Sequence, residues 1–254
     1  FISHHNALDM DVFLRIAPET YLKRAIVGGF TKVFEFARCF RNEGMDATHL
    51  QDFTMLEGYC AYYNYRDNMK FLQDMLTTVV TKIWGTPEIK VNGNVINFAS
   101  EWEVIAFRDL ILRDCGIDIE KHKTAETLFA EIEQLHIDLA SATDPHKLGR
   151  GNLIDLLYKK VSRPKLIAPT FLIAHPTDLS PLARANDNDS ALSDRFQLII
   201  SGAEIINAYS ELVDPREQRE RLMEQARCKA NGDEEAMVIH FIFVSLNHLT
   251  LYSI

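Results

Sequence analysis

One stretch of the chain, FRNEGMDATHLQDFTMLEGY, combines cationic and anionic side chains of the kind that line a ligand site. Arg41 and Glu43 lie near its start, His49 in its middle and Glu57 near its end. A guanidinium group holds a phosphate through two parallel hydrogen bonds. Taken singly, each of these residues is more often an ordinary surface group, and Arg41 with Glu43 can form a simple exposed ion pair. The combination is much less common by chance, and it indicates a site for a phosphorylated ligand.

Two segments with the alternation of β-strands flank this stretch. KVFEFARCF and FTMLEGYCAYY predict an antiparallel pair joined by a long polar loop. Period two places four side chains on one face of the second strand: Phe53, Met55, Glu57 and Tyr59. The opposite face carries Leu56, Gly58 and Cys60 and is suited to packing. Because a buried carboxylate needs a cationic partner, the face with Glu57 is predicted to line a pocket that Arg41 also enters.

Helical periodicity dominates the middle of the chain. A helix is predicted over residues 67–84, ending at Gly85, and NVINF predicts a short strand after it. Ser100 and Glu103 predict a capping box at the start of the next helix. The three helices predicted in this region cover residues 102–115, 124–135 and 152–161.

Strand character returns in the last third of the chain. LIAPTFLIAHP predicts one strand, and DRFQLIISGAEIINAYSEL predicts two strands that turn at Ser201 and Gly202. DPRE, residues 214–217, predicts the start of a helix that runs to Gly232. These elements predict an α+β fold, an antiparallel sheet flanked by helices. The predicted organisation is a first catalytic part (1–90), a helical insertion (91–162), a second catalytic part (163–237) and an apolar tail (238–254).

Composition places the chain among ordinary globular proteins. It has 254 residues, of which 47% are apolar and 25% charged, with a formal net charge of −9. That charge argues against nucleic-acid affinity over the whole surface, although a local basic patch remains compatible with it. The four cysteines are far apart and have no CxxC spacing, which predicts reduced thiols in a cytosolic protein. The tail contains several polar residues and is a poor membrane span, so no membrane partner is expected.

The motifs resemble those of the lysyl-tRNA synthetases, a family of class II aminoacyl-tRNA synthetases. FRNEG, the histidine and FTMLE match the second class II signature. FISHHNALDMDVFLRIAPETYLKRAIVGGF, HPTDLSPLAR, DRF, EIINAYSELVDP and GDEEAM follow in the order of that family. The resemblance implies a class II fold and a lysine–tRNA ligase that joins L-lysine to tRNA(Lys), using ATP and Mg²⁺, in the cytoplasm. It also implies a homodimer.

The resemblance assigns roles in ATP binding to four residues of the loop hairpin. Arg41 would hold the α-phosphate and the attacking lysine carboxylate, and so act as the catalytic residue. Glu43 would accept from the adenine amino group, His49 would reach the γ-phosphate, and Phe53 would stack on adenine.

The resemblance also assigns the lysine and metal sites. Glu19 would bind the α-ammonium of lysine, while Tyr59 and Glu211 would receive its side-chain ammonium. The other lysine-binding positions are Glu57, Asn207 and Tyr209. Glu204 would hold magnesium, together with a weakened position at Gln197. Since Glu204 and Asn207 point to opposite faces of a regular strand, a shared site requires a β-bulge between them.

The sequence departs from the family pattern at several points. Gln197 replaces a glutamate that is a magnesium ligand in the family, so magnesium is expected to bind more weakly. Leu50, Gln51 and Asp52 replace the usual loop residues, and Val213 replaces an asparagine. The first and third class signatures and the anticodon-binding barrel find no match. The chain is therefore expected to be a truncated form with little or no aminoacylation activity of its own.

Two alternatives stay open at this stage. A stand-alone lysyl-transferring paralogue that modifies a protein lysine would also lack the barrel. A non-catalytic module that binds lysine or a nucleotide is the other alternative, and Gln197 and Val213 favour it slightly.

Overall fold

The computed structural model describes residues 1–42, 49–139 and 144–230, with the backbone alone at 228 and 229. These residues divide into two compact units, of which the first ends at Tyr62 and the second begins at Tyr63. The predicted tail at 238–254 lies outside the described residues, as does the predicted helix end at Gly232. The predicted segment boundaries at 90, 162 and 237 remain predictions.

The described residues of the first unit form two hairpins and one helix. Strands β1 (Ile2–His5) and β2 (Met10–Phe13) pair antiparallel, and helix α1 (Glu19–Val27) follows. Strands β3 (Lys32–Phe40) and β4 (Asp52–Cys60) form the second hairpin, in register over nine residues each. The predicted first strand is confirmed residue for residue, whereas the second ends three residues earlier than predicted.

The two faces of the β3–β4 hairpin differ in polarity and burial. One face, hereafter the inner face, contacts helix α1 and includes the buried Ala37 and Cys39. Its other members are the half-buried Val33, Glu35, Phe53, Met55, Glu57 and Tyr59. The opposite face exposes Phe34, Phe36 and Leu56, at 72%, 68% and 47% of their surfaces. The prediction that Leu56 lies on the packed face is therefore wrong for the described residues, because helix α1 lies against the side with the polar groups.

The second unit begins with a long helix and a small hairpin. Helix α2 (Tyr65–Trp84) precedes strands β5 (Glu88–Val91) and β6 (Asn94–Asn97), which pair antiparallel. A capping box between Asn64 and Asp67 starts α2 two residues before the predicted start. Gly85, in the left-handed conformation at φ 71°, ends the helix where predicted.

A four-stranded sheet forms the centre of the second unit. Its strands are β7 (Glu103–Ala106), β8 (Thr170–Pro176), β9 (Leu192–Ile200) and β10 (Ala203–Tyr209). They lie in the order β10-β9-β8-β7, and only the pair β7–β8 is parallel. Ser201 and Gly202 turn β9 into β10 with positive φ values of 53° and 75°, which confirms the predicted turn.

The described part of this unit contains four further α-helices: α3 (Phe107–Cys115), α4 (Ala125–Gln134), α5 (Arg150–Val161) and α6 (Pro215–Ala230). One buried cluster joins α3, α4 and α5 to the sheet through Leu172 and Ile199. A second cluster packs α2 and the β5–β6 hairpin against Phe171, Phe196 and Leu198. The fold is thus a mixed α/β domain whose sheet is flanked by helices, as predicted at that level.

One predicted element in the middle of the chain is wrong. The helix expected from residue 102 begins only at Phe107, because Glu103–Ala106 forms strand β7, with its β-branched Val104 and Ile105 paired to β8. The predicted capping box is absent, since the Ser100 hydroxyl donates to the Asn97 carbonyl instead. A strand of the central sheet therefore interrupts the stretch expected to be a helical insertion, and a separate insertion is not confirmed.

Within the described residues, no helix combines the length and the apolar content that a bilayer span requires.

Candidate active site

Arg41 is held at the open end of the β3–β4 hairpin. Its backbone N–H donates to the Gln51 carbonyl at 2.9 Å, which continues the strand pairing by one step. Its side-chain Nε donates to the Ile16 carbonyl at 3.2 Å, and its guanidinium carbon lies 5.4 Å from the centre of the Phe53 ring. Two of the predicted ATP-binding residues are thus in contact, and one side-chain N–H group of Arg41 is held by Ile16.

A second pair of predicted residues meets further along β4. Tyr59 donates its hydroxyl to Glu57 Oε2 at 3.0 Å. Burial raises the pKa of the half-buried Glu57 carboxyl, an effect that the Tyr59 hydrogen bond opposes and the nearby Glu19 carboxylate reinforces. Arg41 and Lys23 lower the pKa of Glu57 through their positive charges. These residues therefore belong to one electrostatic group on the inner face.

Lys23 is the member of this group that the sequence reasoning missed. Its ammonium donates to Glu19 Oε1 at 2.8 Å and lies 5.8 Å from the centre of the Tyr59 ring. Only 8% of Lys23 is exposed, which is unusual for a lysine. The spacing of Glu19 and Lys23, four residues apart at the start of a helix, is the sequence signal that could have identified the pair.

The remaining loop positions are less fully described. His49 is exposed just after the gap in the described residues, and Glu43 lies outside them. The structure therefore brings together Glu19, Arg41, Phe53, Glu57 and Tyr59 within the first unit.

The second unit carries its predicted residues on one side of the β9–β10 hairpin. Asn207 pairs directly with Gln197, and Tyr209 with Arg195, in the antiparallel register. The register shifts between Glu204 and Ile206, which is the β-bulge expected between Glu204 and Asn207. We call this side, with Arg195, Gln197, Glu204, Asn207 and Tyr209, the polar face.

Gln197 connects the polar face to the buried side chain of His175 on β8. It donates from Nε2 to Glu204 Oε2 at 2.6 Å, and its Oε1 lies 3.2 Å from His175 Nε2. His175 is 1% exposed, and burial lowers its pKa well below the ordinary histidine value, which favours the neutral ring. Glu204 as a residue is exposed, but its carboxyl lies at this partly buried hydrogen bond. Desolvation raises the pKa of that carboxyl.

Arg195 is the second residue that the sequence reasoning did not single out. Its Nε donates to Asn207 Oδ1 at 2.9 Å, and one terminal nitrogen donates to the Leu179 carbonyl and the Ser180 hydroxyl at 2.7 and 2.9 Å. Desolvation lowers its pKa, and the Glu204 carboxylate opposes that effect. Arg195 thereby fixes Asn207, and the DRF motif was its only signal in the sequence.

Glu211 follows directly after the polar face. It is half-buried and pairs through its backbone with Ala183, in the segment that includes SPLAR. Tyr209 is also half-buried. The structure therefore collects five predicted residues of the second unit within one hairpin and its continuation: Gln197, Glu204, Asn207, Tyr209 and Glu211.

Comparison with known proteins identifies the family. A family model described as tRNA synthetases class II (D, K and N) matches residues 1–245. The chain belongs to these class II tRNA synthetases. Its similarity to curated relatives is also extensive, for example 44% identity over 236 residues to a lysine–tRNA ligase of Pelotomaculum thermopropionicum. That alignment covers 93% of this chain and 46% of the relative.

Two further relatives give the same result for this class II synthetase chain. It is 42% identical over 244 residues to a lysine–tRNA ligase of Porphyromonas gingivalis, covering 96% of the chain and 41% of the relative. It is 42% identical over 236 residues to one of Carboxydothermus hydrogenoformans, covering 93% and 47%. The chain thus spans somewhat less than half the length of these relatives.

The polar face does not fit the magnesium site that the synthetase resemblance implies. Gln197 offers Glu204 an N–H group rather than a second negative oxygen, and the carbonyl oxygen of Gln197 faces His175. Magnesium prefers carboxylate, carbonyl and water oxygens that are free to coordinate it. In the described parts of the chain, no group of three or more His, Cys, Asp or Glu side chains is arranged to hold a metal ion.

Proposed function

We propose that this chain is part of a lysine–tRNA ligase and that its two groups of site residues bind ATP and L-lysine for lysyl-adenylate formation. The observation that carries the proposal is the inner face, where Arg41 stacks on Phe53 beside the carboxylates of Glu19 and Glu57. The names of the relatives, all lysine–tRNA ligases, support lysine as the amino acid.

ATP binding is assigned to the open end of the hairpin. Arg41 neutralises the α-phosphate and orients the attacking carboxylate, and its contact with Ile16 and Phe53 supports this role by fixing the guanidinium. Phe53 stacks on adenine, Glu43 accepts from the adenine amino group, and His49 reaches the γ-phosphate. The lysine carboxylate oxygen bonds to the α-phosphorus while the bond from that phosphorus to the bridging oxygen breaks, releasing pyrophosphate. No protein nucleophile is required.

Lysine binding is assigned to carboxylates, because an ammonium removed from water needs an anionic partner. Glu19 takes the α-ammonium, and the fact that it already binds the ammonium of Lys23 at 2.8 Å supports this role. Glu211 and Tyr59 take the side-chain ammonium. Glu57, Asn207 and Tyr209 complete the polar surroundings, with Glu57 held by Tyr59 and Asn207 held by Arg195.

The other partners belong to the whole protein. We propose tRNA(Lys) as the acceptor of the lysyl group, a homodimer as the assembly and the cytoplasm as the location, all from the family resemblance. The family also implies magnesium, but because Gln197 and Glu204 do not fit that ion, no step above depends on it.

Calorimetric titration of the purified chain with amino acids tests the proposal. We expect L-lysine to bind and L-norleucine, which lacks the side-chain ammonium, to bind at least about tenfold more weakly, a difference of about 1.4 kcal/mol. Glu211→Gln should remove most of that preference, whereas Glu101→Gln, an exposed carboxylate outside the site, should leave it unchanged. Equal affinity for the two amino acids, or a preference unaffected by Glu211→Gln, would contradict the proposed function.

One observation favours a second candidate, a non-catalytic module that binds lysine or a nucleotide. The hydrogen bond from Gln197 to Glu204 closes the position at which the family resemblance implies a metal ion. Lysine and ATP binding without lysine-dependent exchange of pyrophosphate into ATP would support that candidate.

A further inference from the structure

We propose that Gln197 and Glu204 form a closed amide–carboxylate pair, oriented by His175, and that this pair replaces a divalent-cation site. The inference rests on the proposed function only in naming magnesium as the cation that the position would otherwise hold. Its structural basis lies entirely within three neighbouring strands of the second unit, β8, β9 and β10.

The hydrogen bonds determine which way the Gln197 amide points. Gln197 Nε2 donates to Glu204 Oε2 at 2.6 Å, so the amide nitrogen lies on the side of that carboxyl. The amide oxygen then faces His175 Nε2 at 3.2 Å, which requires a proton on that nitrogen. His175 Nδ1, which is buried and has no hydrogen-bond partner among the described residues, is consequently the unprotonated nitrogen.

Two irregularities of the sheet bring these side chains together. The register of β8 with β9 shifts between Ile173 and His175, and Ala174 between them has a left-handed backbone at φ 54°. The register of β10 with β9 shifts between Glu204 and Ile206. A left-handed backbone is strained for alanine relative to a regular strand. Both shifts flank Gln197, and they place His175 and Glu204 at opposite ends of its amide.

The pair is poorly suited to bind a divalent cation. Glu204 Oε2 already accepts a short hydrogen bond, and the amide oxygen already faces an N–H group. A cation would have to break both contacts and reverse the amide in a side chain that is only 5% exposed. The guanidinium of Arg195 interacts electrostatically with Glu204 and would repel a further positive charge.

Titration of the full chain with Mn²⁺ alone, followed by electron paramagnetic resonance, tests the inference. We expect no Glu204-dependent Mn²⁺ binding by the unaltered chain. Gln197→Glu, which creates two facing carboxylates, should raise Mn²⁺ affinity at least about tenfold. The double variant Gln197→Glu with Glu204→Gln should lose that gain. Glu204-dependent Mn²⁺ binding by the unaltered chain, or no gain in a folded Gln197→Glu variant, would overturn the inference.

A second measurement needs no variant. Nitrogen-15 magnetic resonance of the histidine side chains should show His175 as a neutral ring with its proton on Nε2. A proton on Nδ1, or on both nitrogens at neutral pH, would overturn the proposed orientation. Neither measurement involves lysine, so a chain that fails to bind lysine would contradict the proposed function and leave this inference intact.

Discussion

At the residue scale, two carboxylates and one ammonium interact between helix α1 and strand β4. Helix α1 carries Glu19 and Lys23, and strand β4 carries Glu57. Lys23 neutralises Glu19 directly and lowers the pKa of Glu57 through its charge, while burial raises that pKa. A carboxylate that is largely removed from water needs such a partner to remain ionised and in place. We infer that Lys23 holds the Glu19 carboxylate in position before lysine binds. The α-ammonium of the bound lysine then contacts the same carboxylate.

Replacing Lys23 tests this positioning. In Lys23→Met, Glu19 loses its ammonium partner and should turn toward water, so L-lysine affinity is expected to fall about tenfold while ATP affinity changes little. Lys70→Met is a matched control, because Lys70 forms the same four-residue pair with Asp74 on an exposed helix surface. Calorimetry with each ligand gives both affinities. Unchanged or tighter lysine binding in Lys23→Met would contradict the role of this residue.

At the element scale, local hydrogen bonds determine where helix α2 begins. The Asn64 side chain accepts from the N–H groups of Arg66 and Asp67, and the Asp67 carboxylate accepts in return from the Asn64 N–H. This capping box starts α2 directly after the first unit ends. The start of the helix is therefore set by local hydrogen bonds as well as by its apolar face.

Asn64→Ala should lower the free energy of unfolding of the second unit by about 1 kcal/mol, because two backbone N–H groups lose their acceptor. Asn68→Ala, one turn into the same helix, should be neutral or slightly stabilising, since alanine is the better helix former there. Urea unfolding followed by circular dichroism gives both values. An equal change in the free energy of unfolding for the two substitutions would show that the Asn64 cap does not stabilise the helix.

At the scale of the whole molecule, the alternation of apolar residues predicted most elements, whereas contacts distant in sequence determined the rest. Strand β3, the turn at Ser201 and Gly202 and the helix stop at Gly85 depend on local patterns, and each was predicted correctly. Strand β7 was missed because its pairing with β8 lies more than sixty residues away along the chain. Its short apolar run has no period that distinguishes a strand from the first turn of a helix.

The candidate site was predictable to a similar extent. The motif resemblance assigned most of its residues. The alternation of side chains along a strand predicted a β-bulge between Glu204 and Asn207, and the structure contains it. The spacing of Glu19 and Lys23 could have identified that pair. The partners His175 and Arg195 were not predictable, because they act through side-chain contacts that no spacing rule specifies. The orientation of Gln197 depends on His175, which is 22 residues distant in sequence and carries no ligand-like spacing.

The second unit is also expected to lose stability in acid through one ion pair. Arg108 binds Asp118 with two hydrogen bonds of 2.7 Å, and these hold the pKa of Asp118 at about 2, below its ordinary value of 3.8. A lowered pKa means that the stabilisation is present above the ordinary value and is lost as the pH falls toward about 2.

Asp118→Asn should therefore lower stability near neutral pH and flatten its decline in acid. Asp109→Asn, an exposed carboxylate on the same helix as Arg108, should keep the acid dependence of the unaltered chain. Thermal unfolding followed across this pH range measures the difference. The same acid-side slope in Asp118→Asn as in the unaltered chain would contradict the assignment.

The most direct test of the whole account is a crystal structure of the chain with L-lysine and a non-hydrolysable ATP analogue. The quantity to measure is the distance from each lysine nitrogen to the nearest carboxylate oxygen. We expect about 3 Å from the α-nitrogen to Glu19 and about 3 Å from the side-chain nitrogen to Glu211, with Arg41 on the α-phosphate. Lysine bound away from either carboxylate, or Glu19 and Glu211 opening onto separate cavities, would contradict it.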